Sequence, residues 1–279
     1  MRILHVLPKY RHSNWQKKPN MEFLSFDNIT WHQSIVEKYG AKHKVIPFWW
    51  DVAMIERGRK TMNRELLELV AKEKPDFAFF NVAEDELYKE TINQITSSAV
   101  TLYWCSDDSW RFDSVSKKFA PYYTWVASHP WSAVERYKKM GCKTIFTHEG
   151  VRETFYKPVD PKEKNVDVSF IGTYNPERGK TIKGLRDAGI SVTVFGHGWP
   201  EGPIGHLDDV VKIIAKSKIS LILNPPSFSI GIKPLARLFF KRPNFDSPWR
   251  RFGIRHDFWN FGDNVKEWLG KRNRQVKAR

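Results

Sequence analysis

Short apolar segments rich in Val, Ile and Phe alternate with amphipathic stretches along the first 150 residues. This alternation is typical of parallel β-strands joined by helices. The pattern predicts one doubly wound sheet with strands over residues 3–7, 45–48, 77–81, 100–104, 124–127 and 144–146. Helical spacing of apolar residues predicts crossover helices over residues 64–74, which Pro75 ends, and 132–140, before Gly141.

A charged stretch with two prolines, residues 156–165, interrupts this rhythm and predicts a domain boundary. The alternation then restarts, with strands expected over 168–171, 191–195 and 219–223 and helices over 181–188 and 207–215. A doubly wound domain normally needs further strand and helix units to cover both sheet faces. We therefore predict an α/β protein of two Rossmann-like doubly wound parallel-sheet domains, 1–155 and 156–279, the second incomplete.

Charge and composition limit the classes of binding partner and the cellular locations that the sequence favours. The formal net charge is +15, and the basic excess is concentrated with aromatic residues in the segment 233–279. Such a surface favours anionic partners, among which a peripheral contact with an anionic membrane is favoured over nucleic acid because no nucleic-acid motif is present. Neither a membrane-spanning apolar run nor a signal-peptide pattern is present, and Cys105 and Cys142 lack CxxC spacing. We expect a cytoplasmic protein.

The most informative segment is VSFIGTYNPERGK, residues 168–180. A glycine at a strand end lets a ligand approach the backbone, and the N–H groups that open the next helix favour phosphate. Arg178 and Lys180 would neutralise part of its charge. The alternative is that Gly172 only permits a tight turn and that both cations are solvated surface residues.

An acidic pair, Asp107 and Asp108, follows the predicted strand 100–104, at the sheet edge where α/β proteins bind ligands. Mutual repulsion raises the pKa of one carboxyl in such a pair, which suits a general base. The alternative is structural, with Asp108 capping a helix and Asp107 paired to Arg111. Two carboxylates without a third ligand do not make a metal site, so none is predicted. His5, inside the first strand, is expected to be buried and hydrogen-bonded.

Several segments together resemble the GT-B superfamily of glycosyltransferases. IGTYNPERGK is similar to the segment that opens the donor domain of retaining group 1 enzymes, and EGVRETFYKP (149–158) to their interdomain stretch. With YWCSDDSWRFD (103–113) and VTVFGHGWPEG (192–202), the likeness is greatest to the spore-maturation, CgeB-like branch. The resemblance implies a first domain on the acceptor side, a second on the donor side, and catalysis without cofactor or metal.

The resemblance also implies a donor site. The candidate donor residues follow three strands of the second predicted sheet: Gly172, Thr173, Tyr174, Arg178, Lys180, Gly196, His197 and Asn224. For His197 and Asn224 the alternative is that the side chain only completes a turn. The leading hypothesis is a glycosyltransferase that moves a sugar from a nucleotide-diphosphate donor to an unknown acceptor, with Asp107 and Asp108 as candidate catalytic residues. The alternative is a non-catalytic module whose basic surface binds nucleic acid or anionic lipid.

Overall fold

The computed structural model describes residues 1–10, 24–82, 85–105, 107–148, 150–157, 163–202, 204, 207–223, 240–241 and 253–254. The chain divides into two compact units, one of Met1–Gly150 with Phe228–Arg279 and one of Val151–Ser227. The extents expected for the two domains, 1–155 and 156–279, stay predictions.

The first unit is built on a six-stranded parallel sheet with the order β2-β1-β3-β4-β5-β6. Its strands are β1 (Arg2–Leu7), β2 (Lys44–Trp49), β3 (Phe77–Phe80), β4 (Val100–Cys105), β5 (Trp125–Ser128) and β6 (Thr144–Phe146). The chain winds outward from β1 to β2 and then in the other direction from β3 to β6. The carboxyl ends of β1 and β3 therefore form the switch point where such sheets bind ligands.

Helices connect these strands, as the βαβ pattern requires. They are α1 (Gln33–Tyr39), α2 (Trp50–Arg57), α3 (Arg59–Glu73), α4 (Lys89–Thr96), α5 (Asp108–Arg111), α6 (Lys117–Phe119) and α7 (Trp131–Lys139). Two π-helical turns, Asp27–His32 and Phe112–Ser116, and a 3₁₀ turn, Ala120–Tyr122, complete the set.

Both faces of the first sheet are buried. Alternate residues of β3 show this, because Ala78 and Phe80 join one core cluster while Phe79 joins another. The first cluster includes Met62 and Leu66 from α3, and the second is covered by partly buried residues of the α1 region. Helices thus cover the sheet on two sides, which confirms the predicted α/β class.

The second unit has a parallel sheet of three strands in the order β8-β7-β9. The strands are β7 (Val166–Ile171), β8 (Val192–Phe195) and β9 (Ser217–Leu221), with helices α8 (Pro176–Asp187) and α9 (Leu207–Lys216). A short antiparallel pair, β10 (Phe240–Lys241) with β11 (Gly253–Ile254), lies outside the second unit, in the part of the chain that is grouped with the first. Among the helices described, none has the length and apolarity that crossing a bilayer requires.

Candidate functional site

The turn after β7 is packed backbone to backbone against the turn after β8. Gly172 N–H donates to Phe195 O at 2.8 Å, and Tyr174 N–H donates to His197 O at 2.8 Å. The indole Nε1 of Trp199 donates to Gly172 O at 2.8 Å. The two turns thus form one hydrogen-bonded layer at the carboxyl edge of the second sheet.

Glycine is required at the centre of this layer. Gly196 has φ +143°, and a Cβ built on it would lie 2.2 Å from Gly172 O. A Cβ on Gly172 would lie 2.9 Å from Phe170 Cζ and 3.4 Å from Arg178 Nη1. The glycine at the end of β7 therefore does more than permit a turn, because it admits the Arg178 side chain beside the strand.

Helix α8 begins directly after this turn with a side-chain cap. Asn175 Oδ1 accepts from Arg178 N–H at 2.9 Å, and Pro176 occupies the first helical position. Proline is favoured there because its missing N–H would have no partner within the helix. The predicted start at residue 181 was five residues late, since the cap and the proline lie inside the loop-like sequence TYNP.

The side chain of Arg178 spans the switch point between β7 and β9 and is held there by hydrogen bonds. Its Nε and Nη2 donate to Leu223 O at 2.9 and 2.7 Å, and its Nη1 donates to Thr173 O at 2.6 Å. A guanidinium has five N–H donors, so these bonds leave two that engage none of the described residues. Partial burial lowers the pKa of Arg178 from its ordinary value, but a guanidinium still stays charged.

The structure brings six of the predicted donor residues to this edge: Gly172, Thr173, Tyr174, Arg178, Gly196 and His197. Thr173, Tyr174 and His197 are exposed, so a ligand can reach the turn. Tyr174 packs edge-on against Trp199, with ring centroids 4.9 Å apart. Lys180 is on the solvent side of α8, 3.6 Å from Glu177. Asn224 lies outside the described residues.

The corresponding turn of the first unit is already occupied by an anion. The buried carboxylate of Asp51, in the first turn of α2, accepts the backbone N–H groups of Lys9 and Tyr10 at 2.8 and 3.0 Å. These amides follow β1, where a Rossmann-like fold commonly binds phosphate. A residue of the chain itself therefore takes the place that a phosphate would occupy.

A polar chain lies at the switch point of the first sheet. His5 is fully buried, and its Nε2 lies 2.9 Å from Asn81 Oδ1, which confirms the expected buried, hydrogen-bonded imidazole. Burial lowers the pKa of His5 to about 3, so the ring is neutral and its Nε2–H donates to the amide oxygen. Asn81 Nδ2 in turn donates to Asp27 Oδ1 at 3.2 Å.

Asp27 is a half-buried carboxylate at the carboxyl edge of the first sheet. The Asn81 side chain positions it, and Trp50 Nε1 donates to Asn81 O at 3.0 Å. Such a carboxylate suits a general base better than a fully buried one. Asp27 was not predicted from the sequence, although Asn81, the polar residue that ends the strand pattern, was a usable signal.

The two carboxylates predicted as catalytic differ in environment. Asp107 is exposed, whereas Asp108 is 4% exposed and its Oδ2 accepts from Ser128 Oγ and Tyr137 Oη at 2.8 Å each. Burial raises the pKa of Asp108 from its ordinary value, against the opposing effect of its hydroxyl partners. This geometry favours a role for Asp108 in joining α5, β5 and α7. Catalytic roles for both residues stay predictions.

The described residues contain no group of three or more His, Cys, Asp or Glu side chains that could hold a metal ion.

Comparisons with known proteins do not assign a family or a function to this chain. No protein-family model matches the sequence, and no curated protein matches it. Among solved structures, the chain is similar to the Glycosylation Associate Protein (Gap123) complex from Streptococcus agalactiae, with 7% identity and a TM-score of 0.37 over 78% of this chain. It spans about half of that relative's chain, 55% of its length. A likeness this distant does not assign a function.

Proposed function

We propose that this chain is a glycosyltransferase that uses a nucleotide-diphosphate sugar as donor and is related to the CgeB-like branch of GT-B enzymes. The observation that carries the proposal is the turn over residues 172–178. It combines an exposed strand-end glycine turn, the positive end of the α8 dipole and a positioned guanidinium. Each of these features stabilises a phosphate, and together they suit a diphosphate leaving group.

The donor would be held by the second unit. The backbone N–H of Glu177 in the first turn of α8 and the two remaining donors of Arg178 would bind the diphosphate oxygens, while Thr173 and His197 lie beside them. As the bond from the anomeric carbon to the diphosphate breaks, negative charge grows on the leaving oxygen. Donors that are fixed before the reaction stabilise that charge without reorganisation.

The acceptor would be held by the first unit. In an inverting transfer, the acceptor oxygen attacks the anomeric carbon while a carboxylate takes its proton. Asp27 fits this task because Asn81 orients it and it is only half buried. Asp107, exposed after β4, is the second candidate, and Asp108 would act only by positioning.

Nucleotide binding tests the donor site. Isothermal titration at low salt with UDP and GDP should show binding to the native chain. Arg178→Gln keeps a hydrogen-bond donor toward Leu223 but removes the charge, so we expect binding on the order of tenfold weaker. Lys183→Ala is the matched control, because it removes one positive charge from an exposed position on the same helix. Absence of binding, or equal effects of the two substitutions, would refute the donor site.

Turnover distinguishes an enzyme from a binding module. Asp27→Asn should leave nucleotide affinity unchanged and lower the rate of nucleotide release from a donor sugar by about a hundredfold or more. Asp107→Asn is the comparison within the same sheet edge. If the native chain binds nucleotide but releases none from any donor sugar, the chain binds donors without catalysing transfer.

A further inference from the structure

An exposed cluster of aromatic and basic side chains lies at the far edge of the first sheet, away from the switch point. We define the aromatic-basic surface as Trp131, Lys138, Lys139, Phe146 and His148. Trp131 is 56% exposed and Phe146 is 41% exposed, although both are large apolar side chains. The cluster joins the start of α7 to the end of β6, which is the edge strand of the sheet.

Four of the five side chains of this surface contact one another. The rings of Trp131 and Phe146 have centroids 5.1 Å apart at 78°, and those of Phe146 and His148 are 4.9 Å apart at 79°. Lys138 Nζ lies over the Trp131 ring, 5.2 Å from its centroid. The aromatic groups therefore form one continuous apolar strip with a cation above it.

This geometry argues against a flat stacking ligand. A nucleobase or a sugar ring needs an open aromatic face. Here the rings meet edge to face, and Lys138 covers one face of Trp131. Insertion into the headgroup region of a bilayer has no such requirement, because Trp and Phe enter it with the ring edge while lysines remain with the phosphates.

The local charge is complementary to an anionic surface. Among the described residues, the acidic side chains of α7 and of the segment packed against it are paired: Glu135 contacts Lys138 at 2.9 Å, and Asp113 contacts Arg136 at 2.5 Å. Lys139 and Lys143 are exposed and add positive charge on the same edge. Exposed apolar rings with a net basic rim are the combination that binds anionic lipid headgroups.

We propose that the aromatic-basic surface docks this protein on an anionic lipid bilayer. Trp131 and Phe146 enter the headgroup region, and Lys138 and Lys139 bind lipid phosphates. The interaction is independent of the proposed transfer reaction, since it uses none of the donor or acceptor residues.

Vesicle sedimentation tests this proposal on the full chain. Vesicles of phosphatidylcholine with one third phosphatidylglycerol should pellet the native protein, and vesicles of phosphatidylcholine alone should not. Trp131→Ala should weaken binding on the order of tenfold. Lys138→Gln and Lys139→Gln should each weaken it by about fivefold, and these exposed substitutions keep the test valid if the tryptophan variant folds poorly.

Tyr39→Ala is the matched control. Tyr39 is 42% exposed and carries Lys38 over its ring at 5.6 Å, so the same chemistry occurs elsewhere on the same unit. Equal losses of vesicle affinity for Tyr39→Ala and Trp131→Ala would overturn the proposal. Equal binding to vesicles with and without phosphatidylglycerol would overturn it too. A single-stranded oligonucleotide whose affinity falls with Trp131→Ala, without any vesicle binding, would assign the surface to nucleic acid instead.

Discussion

The carboxyl edges of the two sheets are stabilised by side chains of opposite charge. In the first unit, buried carboxylates hold the edge: Asp51 binds the amides after β1, and Asp108 binds hydroxyls from β5 and α7. In the second unit, the guanidinium of Arg178 joins the ends of β7 and β9 through their carbonyl groups.

The difference supports the proposal that the edge of the second sheet, rather than that of the first, binds the anionic donor. An edge whose amides already bind a carboxylate repels an added phosphate, whereas one held by a cation attracts it. Shared topology therefore does not imply shared chemistry, since one buried side chain reverses the preference of the same turn.

The largest expected effect comes from breaking the glycine layer of the second unit. Gly196→Ala places a methyl group 2.2 Å from Gly172 O at a φ that suits glycine. We expect the free energy of unfolding of the second unit to fall by about 4 kcal/mol, from backbone strain and overlap together. Urea unfolding, followed by nucleotide titration, measures both consequences.

Gly184→Ala is the control for that experiment. Gly184 lies inside α8, and nothing lies within 4 Å of an added Cβ. Alanine should raise stability there by up to about 1 kcal/mol. A neutral Gly196→Ala would show that the layer adapts and that the turn is not fixed.

Removing the internal anion of the first unit should have the next largest effect. Asp51→Ala leaves the amides of Lys9 and Tyr10 without this acceptor, which should lower stability by about 3 kcal/mol. Inorganic phosphate should then raise the melting temperature of the variant more than that of the native chain. Asp187→Ala removes an exposed carboxylate instead and controls for the change in net charge. If phosphate raises the melting temperatures of both variants equally, Asp51 does not substitute for a bound anion.

The smallest expected change in stability comes from substitutions at Asp108, and it depends on pH. Asp108→Ala removes the acceptor of two buried hydroxyls and should destabilise the fold by about 2 kcal/mol. Asp108→Asn keeps an acceptor and does not ionise. Because burial raises the pKa of Asp108, the folded native chain holds its proton more tightly than the unfolded chain does.

The more tightly held proton of Asp108 stabilises the folded native chain at low pH. This stabilisation is lost from the native free energy of unfolding as pH rises from the ordinary Asp range through the raised pKa. The stability of Asp108→Asn relative to the native chain should increase over that window and then become constant. Urea unfolding of both proteins at a series of acidic pH values measures this difference in stability. A difference that does not change with pH would show that the carboxyl does not titrate with folding.

Most strand positions could be predicted because β-strands buried on both faces appear as short apolar runs. The run at 100–104 corresponds to β4, and the run at 168–171 corresponds to β7. Helix α4 was missed because its eight residues contain only two Ile positions on the buried side. Its short length gives too few turns for a clear helical period.

The site was harder to predict, because its contacts join distant parts of the sequence. Leu223 lies 45 residues after Arg178, and no local pattern indicates that its carbonyl binds the guanidinium. The contact between Asp27 and Asn81 spans 54 residues. Sequence placed the glycine turn and the basic helix start, but the partners of each charged group depend on the tertiary fold.

The position of β1 has a consequence for synthesis and for truncation. Residues 2–7 pair with β2 on one side and with β3 on the other, so β1 is an interior strand that connects β2 to the rest of the sheet. Deleting them would remove the ladder partner of β2 and divide the sheet. During translation, this strand must wait until residue 80 has left the ribosome before both of its neighbours exist.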